Sequence, residues 1–229
     1  MEFGGLQKLT LLDFPGRVAC TVFTRGCNLR CPFCHNATLV LRPGENLLTE
    51  EELFAFLEKR RGVLEGVALT GGEPLMHPFV PEFFRRVRDL GYATKLDTNG
   101  CYPDALAALL DEGLVDYVAM DVKNAPERYG AAVGLAQFDL SPVLRSVSLL
   151  REERVPCEFR TTVVRGIHTE ADLVAIARWL GDVPHYYLQR FVDSGDLISA
   201  GGAFSPAEMR DLLSAVRRYT PRAELRGVD

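Results

Sequence analysis

The feature that most constrains this chain is an alternation repeated six times: a short apolar run, then an amphipathic segment. The apolar runs cover residues 18–23, 66–69, 93–96, 117–120, 159–164 and 186–188. Each is too short for a typical helix, and the run 66–69 is continuously apolar, as in a strand buried on both faces. Between these runs the apolar residues change to helical spacing. Leu53, Phe56 and Leu57 follow the capping box Thr49-Glu50-Glu51-Glu52, and Val80, Phe83, Phe84, Val87 and Leu90 run to a closing Gly91. Pro103 and Asp104 open a helix carrying Leu106, Leu109 and Leu110, closed by Gly113; Ser141-Pro142 opens one carrying Val143, Val147 and Leu150. Thr169-x-x-Asp172 caps Leu173, Ile176, Ala177 and Leu180, and a second capping box, Ser205-Pro206-Ala207-Glu208, precedes Met209, Leu212, Leu213 and Val216. Alternating strands and helices imply parallel strands covered by helices. A closed eight-unit barrel typically takes about 250 residues. Six units in 229 residues predict an open, partial (β/α)6 barrel, a TIM-like α/β architecture in one domain spanning residues 1–229. A doubly wound sheet is disfavoured because no Gly-rich dinucleotide turn follows the first strand.

In parallel barrels the C-terminal strand ends form the active-site face, and here those ends carry the unusual polar residues. Cys27, Cys31 and Cys34 follow the first strand, Gly71, Gly72 and Glu73 the second, Asp97-Thr98-Asn99 the third, and Asp121-Val122-Lys123 the fourth. The topology therefore gathers four groups around one cavity. The cysteines stand at C-x3-C-x2-C with no fourth nearby. A cuboidal iron–sulfur cluster takes four thiolates, so three leave one iron open, and an open metal position signals chemistry rather than scaffolding. Phe33 would put an aromatic face beside that iron. A structural zinc site of Cys3His type, using His35 in a non-catalytic interaction module, is the alternative from another class. Adjacent Cys34 and His35 fit one tetrahedral ion poorly. Gly71 and Gly72 permit close backbone approach, and Glu73 can pair with an ammonium group. An acid such as Asp97 at a buried strand end needs a partner. Asp121 and Lys123, two apart, share a strand face.

The run Thr24-Arg25-Gly26-Cys27 through Cys34-His35-Asn36 resembles the radical S-adenosylmethionine (radical SAM) superfamily, and within it the activating enzymes of glycyl-radical enzymes. With Leu11-Leu12-Asp13-Phe14-Pro15-Gly16, it is most similar to the activating proteins of anaerobic ribonucleoside-triphosphate reductase. The resemblance runs through Gly71-Gly72-Glu73-Pro74, Asp97-Thr98-Asn99-Gly100, Met120-Asp121-Val122-Lys123 and Arg160-Thr161-Thr162-Val163-Val164, so it spans residues 6–192. It implies the same partial barrel and a 4Fe–4S cluster on Cys27, Cys31 and Cys34. It implies that the cluster reductively cleaves S-adenosylmethionine, and that the resulting radical takes hydrogen from a glycine of a glycyl-radical enzyme. An electron donor such as flavodoxin or ferredoxin is expected. The segment of Gly71, Gly72 and Glu73 would hold the amino end of the cofactor, Lys123 and Arg160 its carboxylate, and Asp97 and Asp121 a monovalent cation against that carboxylate. Phe33 and Asn99 complete the expected cofactor site. The resemblance departs at Val192, which stands where some relatives place a His; Gln189 and Arg190 are the nearest polar candidates. A radical SAM enzyme acting on a small pterin in 7-deazaguanine synthesis is the alternative substrate class, though such enzymes usually show a longer gap in the cysteine motif.

Other features bound the function. The net charge is −5, and the longest basic cluster, Arg85-Arg86-x-Arg88, reads as a solvated helix face, so nucleic-acid binding is not expected. No apolar run approaches the roughly 20 residues of a membrane helix. No export signal follows Met1, which predicts a cytoplasmic protein with reduced thiols. Cys20, Cys101 and Cys157 read as structural thiols, with Cys101, directly after a motif, also placed to approach the site; His77, His168 and His185 read as loop or core residues, and Trp179 as core. Only four of 26 basic residues are lysines, Lys8, Lys59, Lys95 and Lys123, so a lysine at a chemically busy position, as Lys123 is, looks less like surface filler. An open barrel leaves a lateral gap for a peptide loop, and residues 124–140 read either as a border of that gap or as an exposed connector.

Overall fold

The computed structural model describes residues 1–41, 48–199 and 201–228. Its main element is an eight-stranded sheet. The six expected strands are present as β3 (Ala19–Thr24), β5 (Gly66–Gly71), β6 (Ala93–Thr98), β7 (Tyr117–Asp121), β8 (Cys157–Val163) and β9 (Tyr186–Arg190). They pair in chain order and in parallel. Two further strands close the ends of the row. β10 (Ala223–Arg226) adds in parallel to β9, and β2 (Gly5–Thr10) adds antiparallel to β3. A two-residue β1 (Glu2–Phe3) pairs with β4 (Leu48–Thr49) apart from the main sheet. Among the described residues β2 and β10 share no ladder, so the sheet remains open.

Each expected helix is found between its strands: α2 (Glu50–Lys59), α3 (Val80–Asp89), α4 (Pro103–Asp111), α6 (Ser141–Leu150), α7 (Glu170–Leu180) and α8 (Pro206–Val216), while short α1 (Ala37–Leu41) and α5 (Tyr129–Ala132) lie within longer connections. The two predicted capping boxes form at Thr49 and Ser205, and the predicted cap at Thr169 is a third, each side chain accepting from the backbone three residues on. The core lies between helices and sheet. Strand residues Val67, Leu69, Leu96, Val118, Met120 and Phe159 are buried, together with helix residues such as Phe83, Phe84, Leu109, Val147 and Ile176.

The strands run further toward their C-terminal ends than their apolar stretches suggest. Thr24 pairs with Gly71, Asp97 with Ala119, and Asp121 with Arg160. Alternation along β6 sends Leu96 to the core and Lys95 and Asp97 to the opposite face. The concave side of the sheet is therefore polar. That pattern also hid β10 from a reading of apolar runs, because its Glu224 and Arg226 alternate with Ala223 and Leu225.

The end of β5 meets the chain leaving β3 at backbone distance. Gly72 N–H donates to the Thr24 carbonyl at 3.0 Å and Glu73 N–H to the Gly26 carbonyl at 2.9 Å. A Cβ on Gly72 would lie 1.7 Å from Gly26 O, a contact no side-chain rotation relieves. Gly72→Ala is therefore expected to lose at least about 2 kcal/mol of stability by backbone displacement. Gly5→Ala, whose Cβ would meet only Phe23 at 3.9 Å, should stay within about 0.5 kcal/mol of the parent. Urea unfolding midpoints test this, and a Gly72→Ala midpoint equal to the parent would contradict it.

Candidate cofactor site

At the C-terminal ends of the strands lies a cavity of about 230 Å³. It brings together residues from six consecutive strands and the loops that follow them, including Cys27, Gly71, Asp97, Asp121, Arg160 and Gln189. Of the residues expected there, Cys27, Cys31, Cys34, Phe33, Gly71, Gly72, Asp97, Asn99, Asp121, Lys123 and Arg160 all line it. Glu73 is the exception.

Glu73 is fully buried behind the wall. Its Oε1 accepts from Leu75 N–H at 3.0 Å and from the Thr98 hydroxyl at 2.8 Å, and its Oε2 from Asn99 N–H at 2.7 Å. The carboxylate thus fastens the turn after β5 to the turn after β6. Both oxygens are taken by the chain's own donors, so the expected pairing of Glu73 with a ligand ammonium has no support in its position. The backbone of Gly71 and Gly72 faces the cavity there instead.

The cysteine loop is braced on three sides. Arg30 N–H donates to Val133 O at 2.9 Å, and a Cβ on Gly134 would strike Arg30 O at 2.2 Å. Within residues 124–140, Val133 and Gly134 therefore press on the cluster loop. Asn99 Nδ2 donates to Asn28 Oδ1 at 2.9 Å and lies 3.7 Å from Cys27 Sγ. On the third side Asp196 accepts from Thr38 N–H and its hydroxyl, while Ser199 N–H donates to Pro32 O at 2.8 Å. His168 holds the far wall. Its Nδ1 accepts from Val164 N–H at 3.1 Å, so Nε2 carries the proton and donates to Lys123 O at 2.8 Å. Burial lowers its pKa and keeps it neutral. His168 is a core residue, as read from the sequence.

The donor set fits a bound metal cluster. All three loop cysteines are free thiols. Burial pushes the Cys31 thiol up to about 11 and raises Cys27 as well, while the nearby Lys123 charge works the other way on both. Loading metal must then displace thiol protons, and Lys123 favours the anionic product. Among the described residues no three His, Cys, Asp or Glu side chains gather around one metal-ion position. A cuboidal cluster, with each thiolate on a separate iron, requires no such point. His35 stacks on Phe191 with ring centroids 5.3 Å apart, and its Nε2 is buried in the cavity wall with no hydrogen-bond partner among the described residues. An orphaned acceptor or donor of this kind calls for a ligand.

Beneath the cavity lies a lattice of charges. Arg160 Nε donates to Asp121 Oδ1 at 2.9 Å, and its Nη1 and Nη2 to Asp97 Oδ2 at 3.2 Å. Lys123 Nζ donates to Asp121 Oδ2 at 2.9 Å, and Lys95 Nζ to Asp97 Oδ1. Burial works to raise Asp121, but Arg160 and Lys123 outweigh it and hold the carboxyl far below its usual range; at Asp97 burial also works to raise the carboxyl, and Arg160 and Lys95 lower it on balance. The sequence reading missed Lys95 and Glu158 here, and left Thr162 and Gln189 without roles, though the last two line the cavity. Strand alternation carries the signal: Lys95 is two before Asp97, and Glu158 and Thr162 are two either side of Arg160.

The radical SAM superfamily profile matches residues 21–180. The chain belongs to that superfamily. It is 31% identical over 191 residues to a Methanocaldococcus jannaschii protein provisionally assigned as a glycyl-radical enzyme activating enzyme, covering 82% of this chain and 78% of the relative. It is 34% identical over 130 residues to the 7-carboxy-7-deazaguanine synthase of Methanopyrus kandleri, across 48% of this chain and 51% of that one. The fold matches a radical SAM methyltransferase from Sphaerobacter thermophilus with a TM-score of 0.73 at 16% identity, covering 95% of this chain and 68% of the other. Membership makes the chain an enzyme and implies a 4Fe–4S cluster and S-adenosylmethionine. Among the described residues no helix is long and apolar enough to cross a membrane.

The buried Glu73 gives this site a pH signature. Burial raises its carboxyl from 4.5 to about 7, against the three donated hydrogen bonds. A group whose pKa is higher in the folded state binds its proton more tightly there. Its stabilisation is complete below 4.5 and is lost as pH rises to about 7, on the order of 3 kcal/mol in all. Glu73→Gln should start less stable at low pH, because its amide faces the Asn99 N–H, but should lack this decline. Urea unfolding of the metal-free chain between about pH 5 and pH 8 checks the difference; parallel pH profiles for parent and variant would contradict it.

Proposed function

We propose that the chain is an activating enzyme that generates a glycyl radical on a partner protein, with anaerobic ribonucleoside-triphosphate reductase as the partner. The observation that carries the reading is the convergence of three free thiols, Cys27, Cys31 and Cys34, with the charged strand ends Asp97, Asp121, Lys123 and Arg160 on one cavity. When bound, the cluster supplies the electron that splits S-adenosylmethionine and initiates hydrogen abstraction. The chain's own residues bind, orient and shield. Lys123 and Arg160 offer cationic donors to the cofactor carboxylate, and the backbone at Gly71 and Gly72 offers space to its amino end. Phe33, only 4% exposed and edge-on to the His168 ring, gives an apolar wall beside the cysteines. His35 Nε2 can complete its hydrogen bonding against the nucleoside.

The relative from Methanocaldococcus jannaschii supports a protein substrate, and it covers more of this chain than the deazaguanine synthase does. The open sheet between β2 and β10 supports it physically. A small-molecule enzyme gains more from a closed pocket that protects a radical from side reactions. Electrons would come from a flavodoxin or ferredoxin.

Anoxic reconstitution should give about four irons per chain. Cys31→Ala should lose them, while Cys157→Ala, whose thiol is buried away from the cavity and bonded to Leu150 O, should keep them. Incubation with reductant, S-adenosylmethionine and the candidate reductase should then give the doublet of a glycyl radical in electron paramagnetic resonance, with 5′-deoxyadenosine formed alongside. Cofactor cleavage with no protein radical would reject the protein substrate, and zinc without iron would reject the cluster.

A further inference from the structure

The lattice below the cavity holds a lysine with no part in the reading so far. Lys95 is 1% exposed, a rare condition for a residue almost never buried without a partner. It reaches the lumen from the middle of β6, with Asp97 on the same face and the Tyr117 ring 5.9 Å away. Asp97 and Asp121 are the two carboxylates that would bridge a monovalent cation. Here all four of their oxygens already take a cationic donor from the chain: Lys95 on one Asp97 oxygen, Arg160 on the other and on Asp121, and Lys123 on the last.

The charge count decides what else fits. The two carboxylates face three cations, leaving one positive charge over. Glu158 also lies 3.8 Å from Arg160, but it brings Arg226 with it in two contacts of 2.7 Å, so three carboxylates then face four cations and the surplus stays at one. Glu73 stands outside the lattice, bonded only to neutral donors. A further cation between Asp97 and Asp121 would meet the Arg160 guanidinium in the same place and raise the surplus in a buried setting, where unpaired charge is costly. A ligand carboxylate would cancel it.

We propose that Lys95 is a positioning residue, a built-in counterion that takes the place of a dissociable monovalent cation at Asp97. The enzyme then binds its cofactor carboxylate without sodium or potassium. This inference rests on S-adenosylmethionine occupying the cavity.

The test is calorimetric binding of S-adenosylmethionine to anoxically reconstituted enzyme in potassium, sodium or tetramethylammonium chloride at one ionic strength. The parent should bind within about twofold in all three salts. Lys95→Gln removes the charge and offers a neutral oxygen to an ion. It should bind roughly tenfold more weakly in tetramethylammonium and recover in sodium or potassium. Lys95→Arg should remain indifferent to the salt. Melting of the metal-free chain gives a second readout: only Lys95→Gln should be stabilised by the small cations. Parent binding that falls tenfold or more without small cations overturns the proposal even if Lys95→Gln fails to fold. Equal weakness of a folded Lys95→Gln in every salt also overturns it. Absence of binding by the parent in every salt overturns the cofactor reading beneath it.

Discussion

The Arg160 guanidinium, held between Asp97 and Asp121, is the contact on which the site depends. It spans three neighbouring strands, β6, β7 and β8, on the concave face of the sheet. An apolar lumen would pack there without direction. A planar donor fork fixes the distance and orientation of two carboxylates at once, and each carboxylate fixes a lysine. Asp121 keeps 31% of its side chain accessible, and the open part faces the cavity. The same lattice that closes the floor of the barrel therefore presents charge to whatever binds above it. Lys123 joins the two halves of the site, since its ammonium sits on Asp121 and also biases Cys27 and Cys31 toward thiolate.

The upper half depends on backbone contact. The cysteine loop leaves β3 and lies against the glycine turn after β5, with Gly72 too close to Gly26 for any side chain. Glu73 then links that turn to the next through Thr98 and Asn99, and Asn99 turns back to Asn28 beside Cys27. The residues of the two motifs are thus mechanically continuous with the cluster loop. Within Gly71-Gly72-Glu73-Pro74, Glu73 therefore serves as a joint between the two turns, while Gly71 and Gly72 line the cavity.

Strand and helix order was readable because each apolar run and each capped helix carries its own local signal. The helix caps at Thr49, Thr169 and Ser205 formed as written. The placement of the cysteines and the charged pairs on one face followed from parallel topology and the two-residue period of strands. Three things were not local. Glu73 looked free for a ligand because no sequence pattern shows that the turns after β5 and β6 face each other. β10 was hidden because two of its four residues are charged and find partners or solvent only in the folded barrel. The brace from residues 124–140 depends on Gly134 meeting Arg30, more than a hundred residues earlier. Lys95, by contrast, was within reach of the alternation rule, two residues from Asp97, and went unassigned because the resemblance names no partner for it.

The central claim is that one cavity holds both cluster and cofactor, with the lattice beneath presenting a cationic face. An anoxic crystal structure of the chain loaded with iron, sulfide and S-adenosylmethionine tests it most directly. That structure should show a cluster on Cys27, Cys31 and Cys34, the cofactor carboxylate within hydrogen-bond distance of Lys123 or Arg160, and Lys95 still bonded to Asp97. A carboxylate bound away from both cations, or a metal ion seated between Asp97 and Asp121, would contradict it.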